Sequence, residues 1–311
     1  MNRIVGIILV VASAAGFGTL AIFGRYAYAD GMDALTILCL RFALAAIPAL
    51  ALLAVRREQF PRGSVLHRLV GMGVLSYVGA AFAYLAALKY ASAGLVALLA
   101  VLLLHEPLTG AKGLALGLAL TGTALAVGPM RGQALGILLA VGSALLYAIY
   151  IIVGTDVMRC VSPVQSSAVI FATAGIGNGV LMMVTGPHLP ATGRGWAAIA
   201  AMVVVTTLLP GVAFLSGLKR IGPTNAAMLS TLEPVVTALL ASWWLQETLT
   251  PVTVLGGGLI LTAVLLVTHA EVRRSPLSVT ADAAVRSSQI GATHTTAATR
   301  QTSSAGESSG N

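Results

Sequence analysis

A chain of 311 residues that is 57% hydrophobic and only 9% charged, with a mean hydropathy of +0.92, cannot cover its own surface with polar groups. A soluble domain carries roughly 25% charged residues, so lipid is the expected solvent for much of this chain. The net charge of +8 would suggest nucleic acid in a soluble protein, but the basic residues sit between apolar runs, as in membrane-protein loops. No nucleic-acid patch or fold signal accompanies them.

The first apolar run, 4–23, follows Arg3 and contains Ala12-Ser13-Ala14, which superficially suits a cleavable leader. It reaches span length and further runs follow, so it reads as the first membrane helix. The others are 34–55, 69–88, 91–104, 113–127, 134–153, 164–185, 196–218, 226–245 and 252–268, ten in all. A crossing needs roughly 20 residues. The fourth run, with 14 residues, is short for that, and so is the fifth, where Lys112 can snorkel. The breaks carry turn chemistry: Asp30-Gly31, Pro61-Arg62-Gly63, Gly128-Pro129, Gly186-Pro187 and Gly222-Pro223. Residues 270–311 are rich in Ser, Thr, Ala and Gly without apolar period, and are expected to be a disordered cytoplasmic tail.

Lysine and arginine set the orientation. With the N-terminus inside and ten crossings, Arg3, Arg56, Arg57, Arg62, Arg68, Lys112, Arg159, Lys219, Arg220, Arg273 and Arg274 fall inside. Only Arg25, Lys89, Arg131 and Arg194 fall outside. Removing the fourth crossing inverts everything after it and destroys this bias. The positive-inside rule therefore favours ten spans with both termini cytoplasmic, and the expected location is a bacterial inner membrane.

The two halves repeat. Residues 6–14 lie over 136–144, Gly24 over Gly154 and Leu88-Lys89 over Leu218-Lys219, at an offset of 130. Further on, Glu106 lies over Glu247 and Thr121 over Thr262, at an offset of 141. The first half thus lacks 11 residues opposite Ala227–Thr237, the stretch that holds Glu233-Pro234. The expected units are 1–130, 131–269 and the tail. Five spans in each half force opposite insertion, and inverted repeats are a recurring architecture of secondary transporters.

Several motifs carry a family resemblance: Arg41-Phe42 in the second span, Leu232-Glu233-Pro234-Val235 in the ninth, and the post-helix runs His105-Glu106-Pro107-Leu108-Thr109 and Gln246-Glu247-Thr248-Leu249-Thr250. Over residues 4–268 the chain resembles the drug/metabolite transporter superfamily, in its EamA-type ten-helix branch. The resemblance implies an all-α bundle of two inverted five-helix repeats that exports small amino-acid-like or drug-like metabolites by alternating access, with no resident cofactor. The family's first half usually has a full fourth helix with a central proline, which this chain lacks.

Only Arg41 and Glu233 place formal charge well inside apolar runs. Each costs roughly 2.5–3.5 kcal/mol at membrane depth, so each needs a partner, a wet cavity or a function. Arg41 could anchor a substrate carboxylate and Glu233 could respond to protons or substrate. Alternatively, both are structural glue, with Pro234 kinking the helix beside Glu233. Tyr77, Tyr84, Tyr147, Tyr150 and Asn178 also lie within spans and need hydrogen-bond partners. A central polar cavity and interhelical bonding explain them equally well. The candidate substrate-binding set is Arg41, Tyr84, Tyr147, Tyr150, Asn178 and Glu233.

Trp243 and Trp244 suit an aromatic belt. Gly113-xxx-Gly117 and Gly256-Gly257-Gly258 permit close helix approach, including approach in a homodimer. Cys39 and Cys160 show neither metal nor disulfide spacing. His105-Glu106 begins no zinc-protease motif, because position 109 is threonine. Two other readings stay open from the residues alone: a membrane assembly or regulatory protein, and an enzyme acting on lipid-linked substrates.

Overall fold

In lipid, every backbone N–H and C=O must be satisfied within the segment, so the apolar runs form helices. The computed structural model describes residues 2–79, 110–127 and 134–270, and among these there are helices and turns but no strand. The fourth apolar run, Tyr84, Lys89, Glu106 and the tail from residue 271 lie outside the described residues.

In chain order the helices are α1 (Asn2–Gly18), α2 (Leu20–Ala29), α3 (Ala34–Val55), α4 (Gly63–Gly71), α5 (Gly110–Val127) and α6 (Ala134–Val157). They continue with α7 (Pro163–Thr185), α8 (Gly193–Ala201), α9 (Leu209–Ile221), α10 (Pro223–Ser230), α11 (Glu233–Leu245) and α12 (Pro251–Ala270). Among the described residues, six helical stretches, some of them interrupted by a turn or a π-segment, are long and apolar enough to cross a membrane: Arg3–Ala29, Ala34–Val55, Pro163–Thr185, Gly193–Ile221, Pro223–Leu245 and Pro251–Ala270. Shorter apolar helices cover Gly113–Ala126 and Leu145–Val157. Ile47, Ile176, Val180 and Leu265 stand 62, 70, 61 and 68% exposed, an outward apolar surface that suits lipid and not water.

Several helices outrun the apolar stretch that announces them. The first reaches Ala29 and the sixth Val157, because polar caps carry helices past the hydrocarbon. Asp33 starts α3 by accepting from the N–H groups of Leu35 and Thr36, each at 3.2 Å. Ser162 and Gln165 form a reciprocal capping box around Pro163 at the start of α7. Such caps contribute about 1 kcal/mol each.

Four spans are interrupted along their length. The first breaks at Thr19, between α1 and α2. α8 passes into π-helix over Met202–Leu208 before α9 begins. α4 does the same over Met72–Gly79, so two α-to-π transitions recur at the 130-residue spacing of the sequence repeat. The ninth span, where a proline kink is expected, is broken outright: α10 ends at Ser230 and α11 restarts at Glu233.

α3 and α7 pack antiparallel over their length. At one end the His188 N–H donates to Thr36 Oγ1 at 3.0 Å. At the other, Ser162 donates to Glu58, and Gln165 Nε2 donates to the Gln59 carbonyl at 2.7 Å. α1 lies along α9, where Gly6 and Gly217 admit Ile221 and Val10, and Ser13 donates to the Pro210 carbonyl at 2.8 Å. α5 meets α12 at Gly122 and Gly256. Gly256 thus packs as expected, whereas among the described residues no atom stands within 4 Å of where the Cβ of Gly113, Gly117 or Gly258 would be. The close approach of these two helices falls a turn or so away, where backbone meets backbone.

Arg56, Arg57, Arg62, Arg159, Lys219 and Arg220 fall on the side where α3 ends and α7 begins. Arg25 and Arg194 fall on the other, with Asp30. There Asp30 accepts from the Thr192 hydroxyl at 2.5 Å and from the Thr192 N–H at 3.1 Å. These bonds hold the Asp30 carboxyl below its ordinary range. A depressed folded pKa means that this link stabilises the loop above the unfolded value and is lost as pH falls through the folded one. In a carboxyl NMR titration, the Asp30 midpoint is expected below about 3.9, and Thr192→Val, which removes the hydroxyl but keeps the backbone donors, should raise it part of the way back. An unchanged midpoint in Thr192→Val would remove the assigned cause.

Candidate functional site

The interruptions bring polar side chains together in the interior. Pro210 has no N–H, so it cannot donate to the Thr206 carbonyl four residues back. Arg41, buried in α3, meets that carbonyl with Nη2 at 3.4 Å and donates from Nε to Thr207 Oγ1 at 3.1 Å. The Thr206 and Thr207 hydroxyls in turn donate to the Met202 carbonyl at 3.0 and 2.9 Å. The guanidinium also lies over the Phe42 ring, 4.6 Å from its centroid, a favourable cation–π placement. Buried arginine is thus satisfied in part by the backbone that a proline and a π-turn have released.

Glu233 stands where α11 begins, in the first turn, where the helix dipole favours negative charge. It is half-buried although it lies deep between the helices, and the Arg41 charge acts on it. Tyr77 and Tyr147 are likewise deep yet half-buried, and both feel Glu233. These three side chains therefore lie near one another between the helices, each partly accessible.

Around them runs a continuous set of aromatic contacts. Phe42 meets Tyr77 edge-on at 4.9 Å between centroids and Phe171 at 6.2 Å. Tyr77 meets Tyr150 edge-on at 5.6 Å, and Tyr147 stacks on Tyr150 at 5.9 Å. Phe214 of α9 lies 6.3 and 6.2 Å from Tyr147 and Tyr150. Such pairs contribute about 0.5–1.5 kcal/mol each beyond burial. The hydroxyls are neighbours too: Tyr77 lies close to Tyr150, and Tyr147 close to Ser230 at the end of α10.

Of the candidates read from sequence, Arg41, Tyr147, Tyr150 and Glu233 thus converge. Asn178 does not join them through any hydrogen bond or ring contact among the described residues. It is fully buried in α7, its Nδ2 donates to Ala174 of its own helix at 2.8 Å, and its Oδ1 has no hydrogen-bond partner. Tyr84 lies outside the described residues. Thr206, Thr207, Phe214 and Ser230 were not anticipated. The proline four residues after Thr206 is the one sequence signal that a carbonyl there needs another donor.

Comparison with known proteins places the chain in a family. The EamA-like transporter family matches twice, at residues 4–128 and 134–269. An "Uncharacterized transporter" of Archaeoglobus fulgidus is 28% identical over 269 residues, covering 83% of this chain and 94% of its own. The Synechocystis protein "Uncharacterized transporter sll1319" is 28% identical over 190 residues, 58% of this chain and 56% of its own. A solved crystal structure shares the fold with a TM-score of 0.73 at 20% identity, covering 87% of this chain and 99% of that one. The protein is a multi-pass helical membrane protein, and it belongs to the EamA-like transporter family.

Proposed function

We propose that this chain exports a small amino-acid-like or drug-like metabolite by alternating access, through an interior site lined by Arg41, Tyr147, Tyr150 and Glu233. The convergence of the two intramembrane charges with the tyrosine group, at breaks in the eighth and ninth spans, carries the reading. Broken helices that meet near midplane are where secondary transporters hold substrate and coupling ion. Tyr84 and Asn178 are the outer candidates of the same set.

Ten spans in two inverted halves, 1–130 and 131–269, are part of the proposal. The 130-residue spacing of the π-segments supports it. So do the antiparallel α3–α7 pair and the two separate matches to the family. The distribution of arginine and lysine supports cytoplasmic termini in a bacterial inner membrane. Glu233 supplies a group that could couple transport to protons, and the exposed faces of α5 and α12 leave room for a homodimer.

The test is flux in proteoliposomes containing the purified protein, with a panel of labelled amino acids, aromatic amines and neutral analogues. Protein-dependent counterflow of at least one class is expected. A panel that stays at the rate of protein-free vesicles would favour the assembly or regulatory reading.

A further inference from the structure

On the membrane face that carries Asp30, the half-helices α2 and α11 are joined along a seam. At its deep end, beside the Thr19 break, the Thr237 hydroxyl of α11 donates to the carbonyl of Gly18, the last residue of α1, at 3.0 Å. A Cβ at Gly18 would stand 2.8 Å from Val236 Cβ and 3.0 Å from the Glu233 carbonyl. Further out, Trp244 Nε1 donates to the Tyr26 hydroxyl at 2.9 Å. At the surface Arg25 pairs with Glu247. The seam therefore runs from the backbone of Glu233 to the membrane surface. Each helix that forms it is cut from the rest of its span at its deep end, α2 at Thr19 and α11 at Thr231-Leu232.

We infer that the α2–α11 seam is a gate over the Glu233 site, latched by Arg25–Glu247 and Tyr26–Trp244, that opens by swinging these two half-helices at their mid-membrane breaks. The inference rests on the transport reading. The inner halves are poorly placed to move in the same way. α1 is locked to α9 through Gly6, Gly217 and the Ser13–Pro210 bond, and every residue of α10 is buried. By the repeat offsets, Arg25, Tyr26, Trp244 and Glu247 correspond to Thr155, Asp156, Leu103 and Glu106 in sequence. These supply no cation and no indole, so the sequence repeat does not carry this pair of contacts over to the other half. A contact present in only one of two states biases the protein toward that state, here closure on the Asp30 face.

The experiment uses the full chain with Cys39 and Cys160 replaced by alanine and Ser230→Cys as reporter beside the site. In proteoliposomes, a membrane-impermeant maleimide is applied to the Asp30 face. Slow labelling is expected with the latch intact. Arg25→Glu replaces attraction by repulsion and should raise the rate about tenfold, a modest factor because the pair is partly exposed. The exchange Arg25→Glu with Glu247→Arg should bring the rate back to within about twofold of the parent, while Trp244→Phe alone should give an intermediate rise. Equal rates in all four proteins, or a charge exchange that labels as fast as Arg25→Glu, would overturn the gate. Counterflow measured on vesicles holding the same latch variants with Ser230 and both cysteines native separates the two claims. Flux without a labelling change removes the gate alone, and a labelling change without flux of any class removes the transport reading.

Discussion

Glu233→Gln is expected to lower flux driven by an imposed pH gradient at least about tenfold, a difference of about 1.4 kcal/mol in the driving step. Counterflow at equal pH on the two sides should fall much less. Glutamine keeps the shape of the side chain and its place in the first turn of α11 but cannot exchange a proton. Besides Arg41, Glu233 is the only formal charge well inside an apolar run, and it lies near Tyr77 and Tyr147 between the helices. A carboxyl placed there costs several kcal/mol unless function retains it. Glu233→Asp, which keeps the proton but withdraws it from the tyrosines, should give intermediate flux. Gradient-driven flux in Glu233→Gln with the pH dependence of the parent would sink the coupling role. It would leave Glu233 as a partner for Arg41.

The two intramembrane charges were legible in the sequence because nothing else in the apolar runs resembles them. Their meeting was not, since Arg41 and Glu233 are 192 positions apart and only packing brings them together. Tyr147 and Tyr150 could be read as one helical face from their spacing, and they stack as that spacing requires. Asn178 has the same polarity and depth, yet its amide donates back to its own helix, an option open to every intramembrane asparagine. The π-segments left no mark in composition, because π and α winding differ by one residue in hydrogen-bond register and use the same apolar side chains. The outer ends of the spans were read short for a related reason. Hydropathy measures the hydrocarbon, whereas helices end at caps such as Asp33, Ser162 and Thr192. Glycine misled in an instructive way: a GxxxG pattern marks where helices could meet, but Gly122 and Gly256, outside the Gly113-xxx-Gly117 pattern, are where α5 and α12 do.

Gly175 tests how the bundle is held. Without a hydrophobic drive between helices in lipid, association rests on close packing. At Gly175 an added Cβ would lie 2.8 Å from both the Cα and the N of Ala43. Those are backbone atoms of α3 and cannot step aside as a side-chain tip could. Gly175→Ala must therefore push α7 away from α3, against bonds that fix the pair at both ends. The expected cost is about 1–3 kcal/mol, seen as a lower midpoint when helix content in detergent is followed against temperature. Gly179→Ala on the same face meets only Cys39 Sγ, at 3.4 Å, and should cost less than about 1 kcal/mol. Gly117→Ala faces open space and should be neutral or stabilising by up to about 1 kcal/mol, since alanine is the better helix former. Equal midpoints for Gly175→Ala and Gly117→Ala would show that the α3–α7 contact is looser than its backbone distances state. The graded result would identify α3–α7 as the rigid pair against which α2 and α11 swing. Gly175→Ala should then reduce the amount of folded protein while leaving the flux per folded molecule nearly unchanged, whereas Glu233→Gln does the reverse.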